Sequence, residues 1–293
     1  SLFQEMVYQG GPVRTENLFS LHRESGPCRW PEAQEIRNGI YFGAEVDIIR
    51  DARKSQSSEN FTVRFFEGYS GWSSGQLEEE FQLKADTNIA KKQMAYLKDK
   101  FLLFGLPTPV RKETQKPFLL KENMPSKNEL TPVMKELWRK PQREFQYFAI
   151  DLNRKYIKKL EKQDIELFEM MITEKSWWDT VDLIATNLVG GYFKTYPERI
   201  IPITTKWMDS GNMWLQRTCL IFQLKYKENI DTDLLSRFIT PLLGSNEFFI
   251  NKAIGWILRE YTRTNPEWVI DFVEKTELSN LSRREALKLI GEI

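Results

Sequence analysis

From Leu83 onward, apolar residues recur at intervals of three and four, the period of a helix with one buried face, and nothing alternates as a strand would. The pattern predicts a first helix carrying Ile89, Met94, Leu97, Phe101 and Phe104, stopped by Gly105 and the prolines Pro107 and Pro109. Pro117 and Pro125 then leave room for at most a short helix near Arg111. Helical patterns resume over 128–138, 143–156, 164–172, 178–189, 198–208, 214–226, 232–243, 248–261, 267–276 and 283–290. The front of the chain has a different texture. Short apolar runs at 39–42 and 61–66 are separated by Gly10-Gly11-Pro12, Gly26-Pro27 and a serine-rich stretch at 55–60, which are strand and turn signals.

The helical part also repeats. Trp214 to Tyr226 laid over Phe249 to Tyr261 aligns the tyrosines at an offset of 35, and Tyr156 falls 70 positions upstream of Tyr226. Such a period means stacked helix pairs, each burying its apolar face only against its neighbours. The repeat is too degenerate for tetratricopeptide or ankyrin signatures. The fold class expected is therefore mainly α: a HEAT-like α-solenoid over 83–293, preceded by a small β-rich or irregular segment over 1–82.

Composition changes this picture in two ways. The formal charge of +1 conceals an asymmetry: residues 1–82 carry 8 Lys/Arg against 13 Asp/Glu, net −5, and the remainder carries 34 against 28, net +6. An acidic module is joined to a basic one that could meet a polyanion. No apolar run approaches the ~18–20 residues of a bilayer span, so a soluble, cytoplasmic protein without a membrane partner is expected. Two distant cysteines, Cys28 and Cys219, and one histidine, His22, offer neither a disulfide framework nor a histidine triad or metal site. Neither metal nor organic cofactor is expected.

The register of 35 places Asp182, Arg217 and Lys252 at equivalent positions of three successive repeats. Trp177, Val181, Ile184 and Leu188 form a buried stripe, turning Trp178, Asp182 and Ala185 toward the neighbouring face. Ile250, Ile254, Ile257 and Tyr261 form another, leaving Lys252, Trp256, Arg259 and Arg263 outside it. Lys225 follows Arg217 by two turns and shares its side. Trp138, Trp177, Trp207 and Trp268 are expected in the core. A row of cations suits a phosphate backbone. A carboxylate in that row repels a polyanion, and either pairs with Arg217 for structure or has a function. Two indoles and a carboxylate share an affinity for cations. A cationic target within nucleic acid is a purine alkylated at a ring nitrogen, whose bond to the sugar is weakened. Breaking that bond moves positive charge to the deoxyribose, where an aspartate can stabilise it.

Lys175-Ser-Trp-Trp-Asp-Thr-Val-Asp182, Trp214-Leu-Gln-Arg217 with Phe222-Gln-Leu-Lys-Tyr-Lys227, and Ala253-Ile-Gly-Trp-Ile-Leu-Arg-Glu-Tyr261 closely resemble the AlkD family of DNA alkylation repair glycosylases. The resemblance covers about Asp86 to Ile293. It implies a monomeric, monofunctional enzyme acting on double-stranded DNA, excising cationic N3- and N7-alkylpurines without drawing the base into a pocket. By the same resemblance Asp182 matches the catalytic aspartate, and Trp178 and Trp256 the indoles that contact the damaged nucleotide. Tyr96 matches a tyrosine of the first helix, and Arg217, Lys225 and Arg259 match residues that grip phosphates. The front segment, through Gln9-Gly-Gly-Pro12, Phe19-Ser-Leu-His22 and the string from Gly68 to Glu80, resembles roughly the later half of the AlgH/YqgE domain. His22 is read there either as catalytic or as an ordinary surface or core histidine. The rival reading of the whole chain is a non-catalytic HEAT-like module that binds nucleic acid or a protein.

Overall fold

The computed structural model describes residues 75–292, with side chains from 75 to 290, and ahead of them the backbone of five strands. These strands are β1 (Tyr8–Gln9), β2 (Val13–Arg23), β3 (Gln34–Arg37), β4 (Ile40–Phe42) and β5 (Thr62–Tyr69). They form one sheet in the order β1-β5-β2-β4-β3, with β1 parallel to β5 and the other pairs antiparallel. The two expected strand runs are β4 and β5. Cys28 lies outside the described residues, and His22 lies on β2, where only backbone is described.

The chain divides into two compact units, residues 1–96 with 104–124, and residues 97–103 with 125–293. The first unit continues past Leu83 through α1 (Gln76–Leu83), α2 (Thr87–Tyr96) and α3 (Thr108–Gln115). Phe81 of α1 is fully buried, its ring 6.2 Å from that of Phe104. The helix expected to run on to Phe104 stops at Tyr96, because Lys98 and Asp99 adopt left-handed backbone (φ 60° and 55°) that no helix continues through. Tyr96 is exposed at its end.

The second unit is a succession of helices: α4 (Lys127–Arg139), α5 (Arg143–Lys155), α6 (Asp164–Thr173), α7 (Trp178–Leu183), α8 (Gly190–Thr195), α9 (Ile200–Asp209), α10 (Met213–Ile221), α11 (Thr232–Ile239), α12 (Phe248–Thr262), α13 (Pro266–Lys275) and α14 (Asn280–Ala286). Side-chain donors tie each layer to the one before it at nearly constant offset. Trp138 Nε1 donates to the Glu174 carbonyl across 36 positions, Lys206 Nζ to Glu169 across 37, and the Tyr226 hydroxyl to the Gly190 carbonyl across 36. Gly190 permits that approach, since a Cβ there would sit 2.6 Å from the Phe222 carbonyl oxygen. The core is the set of stripes the period predicts: Val181, Ile184 and Leu188, then Ile250, Ile254, Ile257 and Tyr261, are all buried. Trp138 and Trp207 are buried with them, whereas Trp177 and Trp268 are only half-buried. Among the described residues, no helix is long and apolar enough to cross a membrane.

Two helices depart from the periodic expectation. The segment 178–189 is α7 followed by one wide π-helical turn, Ile184–Val189, and the helix then resumes as α8. The wider turn slips the 3.6 period, and Ala185, expected outside the stripe, is fully buried. The segment 214–226 is helical only to Ile221. Gln223 then pairs both ways with the backbone of Asp231, and the chain tightens into three-residue turns. Lys225 therefore sits beyond the helix that carries Arg217, in an exposed turn.

Candidate functional site

Four helices of the second unit, α7, α10, α12 and α14, bring the site together, and the starts of three of them are fixed by local chemistry. The Asn212 side chain accepts from the backbone N–H groups of Trp214 and Leu215 at 2.9 and 3.3 Å, which starts α10 and sets where Arg217 points. Ser279 accepts from the Ser282 N–H at 3.1 Å and starts α14. α7 begins three residues after Lys175, whose left-handed backbone (φ 49°) is a strained turn for a side-chain-bearing residue. The Lys175 carbonyl accepts from Arg143 Nη1 at 2.9 Å, which holds the turn.

Trp178, Asp182, Arg217, Phe248, Phe249, Lys252, Trp256 and Arg259 line a pocket of about 260 Å³. The expected row of Asp182, Arg217 and Lys252 is thus present in one place, with both indoles beside it. It is not a row of free charges. Arg217 grips Asp182 with two parallel bonds, Nε to Oδ1 and Nη2 to Oδ2, each 2.8 Å. Arg217 Nη1 donates to the Phe249 carbonyl, and the side chain is only 3% exposed. The structure places this guanidinium against a carboxylate and a carbonyl, where it orients Asp182, with only 3% of the side chain open to anything outside the protein. Beneath the pocket, the rings of Trp177, Trp214 and Phe249 pack with centroids 5.0–5.8 Å apart.

The Asp182 side chain is 15% exposed, and burial pushes its carboxyl above the usual aspartate range, partly offset by the Arg217 hydrogen bonds and charge. The two Arg217 bonds use one lone pair on each oxygen, so acceptor capacity remains on the pocket side.

The other expected cations are spread more widely. Lys252 and Arg259 converge on a residue absent from the sequence expectation, Glu285 of α14. Lys252 Nζ lies 2.9 Å from its Oε1 and Arg259 Nη1 2.6 Å from its Oε2. These cations hold the Glu285 carboxyl below its ordinary range. Arg263 is exposed, 3.6 Å from Glu260. Lys225 donates to Asn187 Oδ1 at 2.6 Å; burial, then the charge of Arg154, holds its ammonium below the usual lysine range. Tyr96 belongs to the first unit. Phe248, 57% exposed at the pocket mouth, was also missed; its signal was an aromatic pair at the start of a helix whose apolar stripe begins two residues later. Among the described residues, no group of three or more His, Cys, Asp or Glu is arranged to hold a metal ion.

Comparison with known proteins adds a second line. A family model described as DNA alkylation repair enzyme matches residues 77–290, and an AlgH-like model matches residues 2–99. A solved structure titled "Predicted DNA alkylation repair enzyme from Enterococcus faecalis" is similar at 32% identity with a TM-score of 0.67, covering 71% of this chain and 98% of that one. The front segment is 39% identical to a UPF0301 protein of Chlorobium phaeobacteroides over 83 residues, 27% of this chain and 42% of that protein. It is 38% identical to one of Bacteroides thetaiotaomicron over 92 residues, 31% of this chain and 44% of that protein. The chain spans less than half the length of these curated relatives.

Proposed function

The chain belongs to the DNA alkylation repair enzyme family, and from that membership we propose that it is a monofunctional DNA glycosylase for cationic N3- and N7-alkylpurines. The observation that carries the proposal is the Asp182 carboxylate facing a pocket flanked by Trp178 and Trp256. Aromatic faces attract a cation by ~0.5–2 kcal/mol each. A carboxylate about 4 Å from a unit charge contributes ~4 kcal/mol at an effective dielectric of 20. Both favour a positively charged group, and the charge persists through the reaction. As the bond between C1′ and the ring nitrogen breaks, its electron pair goes to the base, which leaves neutral. The positive charge passes to the sugar ring. Water then adds to C1′ and releases a proton.

In this scheme Asp182 is the electrostatic stabiliser of the sugar cation, and its acceptor capacity facing the pocket is what the scheme needs. Arg217 orients the carboxylate through both oxygens. A cationic base is already a good leaving group, so a general acid is dispensable, which fits a second unit without histidine. Lys252, Arg259, Arg263 and Lys225 are the proposed phosphate contacts and double-stranded DNA the partner. The test is single-turnover release of 7-methylguanine from alkylated duplex. Asp182→Asn should slow release about a hundredfold, a loss of ~3 kcal/mol in transition-state stabilisation. Release at the wild-type rate would leave the Asp182–Arg217 pair a structural bridge and favour a non-catalytic binding module.

A further inference from the structure

Glu285 occupies an unusual position for an acidic residue, between two cations proposed to meet phosphates. Lys252, Trp256 and Arg259 follow one another at spacings of four and three on α12, so the two cations bracket the indole on one face of the helix. The Glu285 carboxylate spans both cations, one oxygen to each, at 2.9 and 2.6 Å. It is not the mobile partner of an ordinary surface pair, worth little because two long side chains must be ordered to make it. Its residue is 9% exposed, and its backbone is pressed onto α12. A Cβ on Gly255 would lie 2.5 Å from the Glu285 Cβ and 2.9 Å from the Ser282 carbonyl oxygen, so only glycine admits α14 so closely. The fully buried Ser282 fixes the same contact by donating to the Asn251 carbonyl at 2.8 Å. The carboxylate is therefore delivered by a rigid helix-to-helix junction.

A carboxylate bridging an ammonium and a guanidinium satisfies them much as two oxygens of a phosphate would. One bond from each cation leaves further donors on both, since ammonium carries three and guanidinium five. We propose that Glu285 is a positioning residue that fixes Lys252 and Arg259 on either side of Trp256 and tempers their pull on undamaged backbone, so that binding favours alkylated sites. The proposal rests on the glycosylase reading, but its readout is the binding of plain duplex, which requires no excision.

The experiment measures binding of undamaged and 7-methylguanine-containing duplex against salt for wild type, Glu285→Gln and the double variant Lys252→Gln/Glu285→Gln. Removing the carboxylate's charge should tighten binding of plain duplex several-fold at low salt. It should also steepen the slope of log affinity against log salt by ~0.9, the increment of one further phosphate contact. The preference for alkylated duplex should fall, and the double variant should bring the slope back toward wild type. Gln keeps the shape of Glu; should Glu285→Gln melt early, Glu285→Asp, which keeps the charge but loses reach to both cations, is expected to lower the preference in the same direction. Unchanged slope and preference in a folded Glu285→Gln protein would overturn the inference alone. A wild-type chain that binds no duplex would overturn the glycosylase reading and this inference with it.

Discussion

The second unit contains two arginine–aspartate bridges between layers, chemically alike and differently used. Arg143 grips Asp179 with Nε at 2.9 Å and Nη2 at 2.7 Å, and Arg217 grips Asp182 with the same two nitrogens, both at 2.8 Å. Around Asp179 the protein closes further, leaving that side chain 7% exposed against 15% for Asp182. The Tyr147 hydroxyl adds a 2.6 Å bond to the same carboxylate, Arg143 also reaches Thr180 Oγ1 at 2.7 Å, and the arginine is fully buried over the Phe101 ring. Around Asp182 the enclosure is left open on the side of the indoles. Asp179 accepts three bonds and Asp182 two; the more enclosed bridge holds layers in register, whereas the more open one holds a carboxylate ready for something outside the protein. The residue pair alone does not distinguish the two; the remaining acceptor capacity does.

Breaking the more enclosed bridge should have the largest effect, and on stability. Arg143→Met leaves Asp179 buried without its counter-charge, held by the Tyr147 hydroxyl alone, and chemical denaturation should register a loss of ~3–5 kcal/mol. Excision per folded molecule should fall far less than the hundredfold of Asp182→Asn, although Arg143 also holds the Lys175 turn ahead of α7; a hundredfold collapse in the rate of the folded fraction would erase the distinction. Next comes pH. Burial raises the Asp182 carboxyl, so it takes up a proton at higher pH than a free aspartate, and the protonated form cannot stabilise a cation. Excision should therefore fall about tenfold per pH unit along an acid limb lying above the ordinary aspartate range, and Asp182→Asn should remove that limb. Stability carries the opposite sign. A carboxyl whose folded pKa exceeds its unfolded one favours the native state below both values and withdraws that contribution as pH rises between them.

The indoles should come third. Trp178→Ala and Trp256→Ala each remove ~0.5–2 kcal/mol of cation attraction, about two- to thirtyfold in single-turnover rate. The loss should be larger for a cationic lesion than for a neutral one, and equal losses would assign the rings to shape alone. The smallest effect belongs to the layer ties. Tyr226→Phe deletes one bond to the Gly190 carbonyl and should lower stability by ~1 kcal/mol with the rate intact.

What was legible in the chain follows from what is periodic. The stripe of Ile250, Ile254, Ile257 and Tyr261 is buried because burial and spacing are the same fact in a straight helix. Asp182 and Arg217 meet because both repeats keep one register. Ala185 was misplaced because the π-helical turn from Ile184 changes the period without changing the composition. The apolar rhythm overstates the first helix because Phe101 and Phe104 continue it after the backbone at Lys98 and Asp99 has turned away. Glu285 was invisible for another reason. It stands 33 positions after Lys252, outside the register of 35, and reaches the cations through the packing of α14 on Gly255. Periodicity along one chain carries no sign of such a junction.

The most direct test sets binding against excision for Asp182→Asn on one duplex carrying 7-methylguanine. The account predicts that the variant binds this duplex within a few-fold of wild type while releasing the base about a hundredfold more slowly under single-turnover conditions. Undiminished release, or binding and release lost in equal measure, would contradict it.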